Sequence, residues 1–125
     1  EVARRRGIPI EMHNCGRCED FIEDWPDFGV SAWNPAQPSN NLKAIKEKFG
    51  ISLALCGCWD PYGELADPNC PEEVSKHSII QTIDTSATGG GFAWAGNVLG
   101  FDEAAQRKNR WIWEVMDTYG RNINR

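Results

Sequence analysis

Apolar residues fall in four short runs along the chain, and a stretch with helical spacing follows each of them. Ile8 to Met12, bounded by Gly7 on one side and by Asn14 and Gly16 on the other, reads as a buried β-strand entering a loop. Glu19 to Trp25 predicts a short helix, with Phe21, Ile22 and Trp25 three and four apart and Pro26 closing it. Gly29 to Trp33 predicts the second strand, with Asn34-Pro-Ala-Gln-Pro38 as its exit loop. The next helix carries Leu42, Ile45 and Phe49 as its apolar stripe. Ser39 or Asn40 is placed to cap it, and Gly50 stands where a left-handed terminating residue is wanted.

Ile51 to Cys56 is nearly continuous apolar sequence, the mark of a strand covered on both faces. After the long loop from Gly57 to Cys70, Pro71-Glu-Glu opens a helix with proline at its first position and acids near the positive end of the dipole, running to about Ser86. Gly89-Gly-Gly-Phe-Ala-Trp-Ala-Gly-Asn97 is a glycine-led entry to a fourth short strand. Phe101 to Tyr119 predicts the last helix, with Trp111, Val115 and Tyr119, flanked by Ile112 and Met116, as its buried face and Gly120 as its end.

Strand then helix, four times over, argues for parallel strands joined by right-handed crossovers. Four such units make either a small open sheet or half of an eight-stranded barrel, within one domain spanning residues 1–125. In both arrangements the carboxyl ends of the strands form a rim, and His13, Cys15, Asn34, Gln37, Cys56, Cys58, Asp60 and Asn97 would gather there.

Chemistry on that rim centres on His13-Asn-Cys15. Strand geometry continued to these residues sends both side chains to the same side. Imidazole and thiolate are ligands that zinc favours, and a catalytic zinc needs three protein ligands with an open position, so the pair is part of such a site. A partly buried histidine beside an inert thiol explains the same residues. Cys56 and Cys58 share the two-residue spacing at another strand end, with core packing as the alternative for Cys56. The long loop after them is functional in many compact domains, which makes Trp59 and Asp60 candidates. Asp60 before Pro61 is equally a turn-former. Asn34 and Gln37 are placed to hydrogen-bond a substrate from the rim, although an Asn-Pro turn explains Asn34 by itself.

Charge narrows the field of partners. With 13 basic and 18 acidic residues the chain has no electrostatic footprint for nucleic acid, and its one basic run, Arg4 to Arg6, reads as a solvated helix end. No apolar run reaches membrane-spanning length. Five cysteines, an odd number without a secretory signal, predict reduced thiols and a cytoplasmic setting. A chain opening on Glu1 without initiator Met reads as a piece of a longer one.

Five stretches, in order, resemble the carboxyl-terminal half of the uroporphyrinogen decarboxylase superfamily. They are Ile8-Pro-Ile-Glu-Met-His-Asn-Cys-Gly16, Gly29-Val-Ser-Ala-Trp-Asn-Pro-Ala-Gln-Pro-Ser-Asn-Asn-Leu-Lys43, Lys46-Glu-Lys-Phe-Gly50, Gly57-Cys-Trp-Asp60 and Gly89-Gly-Gly-Phe92. The resemblance implies an α/β fold that is the C-terminal half of a (β/α)8 TIM barrel, with about four β/α units. The superfamily holds cofactor-free decarboxylases of tetrapyrroles and corrinoid-linked methyltransferases, which carry zinc through an H-x-C pair and a distant Cys. His13-Asn-Cys15-Gly16 is similar to the zinc pair of the methyltransferases. That similarity implies O-demethylation-type methyl transfer, with cobalamin carried on a partner corrinoid protein and a small-molecule substrate. Asp60 matches an acidic position of the family's loop, with a role in orienting a ligand or as acid or base.

The family's third ligand is a Cys after the last strand, and the decarboxylases carry a His in that region. Here the corresponding place is near Asn97, so Cys56 or Cys58 would have to complete the zinc site. The alternatives are a tetrapyrrole carboxy-lyase and a non-catalytic fragment. Half a barrel exposes strand edges and an apolar inner face, which predicts association with its missing N-terminal half or with a second copy.

Overall fold

The computed structural model describes residues 1–123 and divides into two compact units. The first comprises residues 1–58 and 86–95, and the second comprises residues 59–85 and those from 96 onward. The fold is α/β, with a four-stranded parallel sheet alternating with helices. Among the described residues no helix is long and apolar enough to cross a membrane.

The sheet belongs to the first unit. Its strands β1 (Ile10–His13), β2 (Val30–Ala36), β3 (Ala54–Gly57) and β4 (Phe92–Ala93) lie in the order in which they occur in the chain, every pair parallel. A short helix α1 (Val2–Arg5) precedes them, and α2 (Glu19–Ile22) and α3 (Leu42–Phe49) follow β1 and β2. One face of the sheet carries the core. Trp33 is fully buried and sits in register between Met12 and Leu55. Its ring meets Trp25 edge-on, with centroids 5.6 Å apart and planes at 69°. Cys18, Ile22, Val30, Ala36, Ile45, Leu53, Leu55 and Cys58 complete the cluster.

Several boundaries differ from the sequence reading for local physical reasons. Strand β1 begins at Ile10 rather than Ile8, because Gly7 takes φ +63° and Pro9 has no N–H to give to a ladder. Helix α2 stops at Ile22, and the chain continues through a 3-10 turn at Pro26–Phe28, so Phe21 is exposed while Ile22 and Trp25 face the core. Strand β2 runs on to Ala36 through a cis Asn34–Pro35 peptide instead of ending at Trp33. Strand β3 starts three residues later than Ile51, which is itself exposed. The cap of α3 is Asn41, whose side chain accepts from Ala44 N–H at 3.2 Å, and not Ser39 or Asn40.

Strand β4 has only two residues, and backbone fit replaces side-chain packing in holding it. Gly91 has φ +67°, and its carbonyl accepts from Leu55 N–H at 2.9 Å. A Cβ at Gly91 would stand 3.0 Å from the Gly50 carbonyl oxygen. Lys46 fastens the same turn, its Nζ donating to Ser86 O at 2.5 Å and Gly90 O at 2.6 Å.

The second unit is helical. Helix α4 (Glu72–Ala87) supplies most of its length to it, and α5 (Glu103–Thr118) is capped by Asp102, whose carboxylate accepts from Ala105 N–H at 2.8 Å. Trp111, Ile112 and Val115 form the buried stripe of α5. Tyr119 lies at the border of exposure, with its hydroxyl donating to Asp84 at 2.5 Å. Gly120 does not terminate α5; it opens a 3-10 turn at Gly120–Asn122. Lys108 is buried, and its ammonium donates to the carbonyls of Leu65 at 2.6 Å and Asp67 at 2.5 Å, closing a 3-10 turn at Gly63–Ala66 onto α5.

Candidate functional site

The face of the sheet opposite the core is small and polar. Alternation along Ile10-Glu-Met-His13 turns Ile10 and Met12 to the core and leaves Glu11 and His13 exposed on the other side. Asn34 is the register partner of His13, and its side-chain amide donates to Glu11 Oε1 at 3.3 Å. Cys56 follows Leu55 on β3 and is buried. Its thiol is pushed up in pKa first by that burial and then by the Glu11 charge.

At the carboxyl end of β1 the sulfur of Cys15 stands 3.7 Å from His13 Nε2. Strand β1 ends at His13, but Asn14 N–H still donates to Asn34 O at 3.2 Å, which carries the strand direction on toward Cys15. A network holds the loop that carries Cys15. Trp33 Nε1–H donates to Asn14 O at 2.9 Å, and Gly16 N–H donates to Gln37 Oε1 at 2.5 Å. Buried Asn40 accepts from Cys18 N–H at 2.8 Å and returns its NH2 to Gly16 O at 2.9 Å and Gln37 O at 3.0 Å. The core thereby extends polar contacts out to the His13–Cys15 pair.

Other rim candidates take different places. Gln37 binds the loop through its amide oxygen, a holding contact, and Asn34 binds Glu11. Cys58 does not share a face with Cys56. Gly57 at φ +115° and Cys58 at φ +63° break the strand geometry, and the Cys58 side chain joins the helix-side core. Strand β2 separates β1 from β3, so His13 and Cys56 stand two strand spacings apart, about 9–10 Å along the sheet. Among the described residues no three His, Cys, Asp or Glu side chains form a group able to hold a metal ion.

Trp59, Asp60 and Asn97 belong to the helical unit. Trp59 is buried and its Nε1–H donates to Ser78 Oγ at 3.1 Å. Asp60 is exposed and accepts from Tyr62 N–H at 2.9 Å, the two-residue reach of an Asx turn. Asn97 is exposed.

Two residues of the site escaped the sequence reading. Glu11 was accessible to it, since strict alternation from Ile10 puts the carboxylate on the His13 face. Asn40 was not: only the tertiary approach of Cys18 N–H separates it from its neighbour Asn41.

Burial pushes the Cys58 thiol up to about 11, while a Ser86 hydrogen bond and the Lys46 charge pull the other way. The folded state therefore keeps a proton that the unfolded chain, at the ordinary value of 9.0, loses first. This contribution to stability is fully present below pH 9 and disappears as pH rises from about 9 to about 11. Urea midpoints measured across that window should fall for the wild type and fall less for Cys58→Ala. Equal slopes would remove Cys58 as the cause.

Comparison of the chain with family models, curated proteins and solved structures found no match.

Proposed function

We propose that this chain is the carboxyl-terminal half of a uroporphyrinogen-decarboxylase-like (β/α)8 barrel, acting in methyl transfer linked to a corrinoid protein. The observation that carries the reading is the His13–Cys15 pair, 3.7 Å apart at the carboxyl end of β1. Strands in chain order, all parallel, with a helix after each of the four in the sequence, support the barrel, since that is the order of neighbours around one.

The donor chemistry of the pair fits zinc, supplying two of the three protein ligands of a catalytic site. Cys56 lies beyond β2 from His13, so the third ligand is assigned to a part of the protein outside the sheet described here. Bound zinc would hold an acceptor thiol as its thiolate, the nucleophile that accepts a methyl group from cobalamin. The residues of this chain do the holding. The 3.7 Å between His13 Nε2 and Cys15 Sγ suits two ligands of one ion. Glu11 and Asn34, bonded to each other, line the sheet beside it with a carboxylate and an amide suited to a polar small-molecule substrate. The missing half of the barrel would cover this face.

Cobalt(II) titration of metal-stripped protein tests the reading, because thiolate ligation gives an intense sulfur-to-cobalt absorption. The wild type should develop that band, and Cys15→Ser should lose it with at least about a tenfold drop in affinity. No band, or an undiminished one in Cys15→Ser, would sink the metal assignment.

A further inference from the structure

Cys15 and Cys18 flank Gly16-Arg17 and differ in access. Cys15 is exposed, whereas Cys18 is 1% exposed and lies at the start of α2. The sulfur of Cys18 points back over the turn, 3.4 Å from Gly16 O and 3.7 Å from Cys15 O. Gly16 takes φ +84°, the left-handed conformation that turns the chain between the two cysteines. Cys56, Cys58 and Cys70 are all buried, which leaves Cys15 as the accessible thiol among the five.

We propose that Cys15 and Cys18 form a redox dithiol that closes to an intrachain disulfide by exchange with small-molecule disulfides. An accessible attacking thiol and a buried resolving thiol three residues on are the arrangement that Cys-x-x-Cys exchange requires. Cys15, having released its proton to solvent, attacks one sulfur of a disulfide RSSR. A Cys15–SR bond forms, the S–S bond breaks, and RS⁻ leaves to be protonated. Cys18 then gives up its proton and attacks Sγ of Cys15. The Cys15–Cys18 bond forms and the second RS⁻ leaves. Two protein thiols are oxidised and one RSSR is reduced to two RSH.

The exchange needs no metal and stands apart from the methyl-transfer reading. The two meet only in sharing Cys15, which cannot ligate while oxidised.

The test uses the full chain, stripped of metal with EDTA and incubated with oxidised glutathione. Remaining thiols are then alkylated under denaturing conditions and the peptides mapped by mass. Alkylatable cysteines should fall from five to three, with Cys15 joined to Cys18, and dithiothreitol should restore all five. Cys18→Ala should instead hold glutathione on Cys15, and Cys15→Ser should leave Cys18 reduced. A wild type that keeps a stable glutathione adduct on Cys15 while Cys18 is alkylated would overturn the proposal. So would a wild type with neither cysteine modified, or modification of Cys18 in Cys15→Ser.

Discussion

Trp33→Ala should lower the stability of the sheet-bearing unit by about 3–5 kcal/mol, the range for truncating a large buried aromatic. The ring is wholly enclosed, meets Trp25 edge-on, and fills the register position between Met12 and Leu55, so no neighbour can close the space it would leave. A loss of that size is a large part of the whole stability of a small domain. Trp33→Phe separates packing from polarity. It keeps most of the ring but removes the N–H that holds Asn14 O, and about 1–2 kcal/mol should follow from that carbonyl keeping only the weaker Cys18 thiol contact. Denaturant midpoints read by far-ultraviolet circular dichroism measure both. A loss below about 1 kcal/mol for Trp33→Ala would mean that the core does not depend on this residue.

Asn40→Ala should cost about 2–3 kcal/mol, because it strips the partner from buried Cys18 N–H and takes the amide donor from the Gly16 and Gln37 carbonyls at once. Its second consequence is local. With the loop released, the His13–Cys15 pair loses its fixed spacing, and cobalt(II) should bind more weakly than to the wild type. Lys43→Ala, at an exposed position of α3, should shift stability by less than about 0.5 kcal/mol and leave the cobalt affinity unchanged. Unchanged stability and cobalt affinity in Asn40→Ala would show that the loop is held by Trp33 and Gln37 alone.

Much of the architecture was legible because burial leaves periodic marks. The stripe Leu42, Ile45, Phe49 and the stripe Trp111, Ile112, Val115 each fixed a helix, and the alternation of types fixed a parallel sheet. The His13–Cys15 contact was also legible from spacing. What failed depended on backbone torsions or distant partners. Equal spacing put Cys58 with Cys56, but positive φ at Gly57 and Cys58 sends the second sulfur into the core. Asn40 and Asn41 are chemically identical, and only the fold decides that one caps a helix while the other holds a loop. The contact of Gln37 Oε1 with Gly16 N–H is likewise tertiary, and nothing in one dimension shows it. The division into two units left no mark in composition.

The glycine turn before β4 also limits how this chain can vary over generations. Position 91 rejects a side chain twice over, through its positive φ and through the Gly50 carbonyl 3.0 Å from any Cβ. Position 89 has only the torsion to satisfy, with open space around it, so asparagine can be accepted there. Neutral drift is therefore permitted at one end of the triplet and closed at the other. The shortest strand of the sheet is tied to the least substitutable residue beside it.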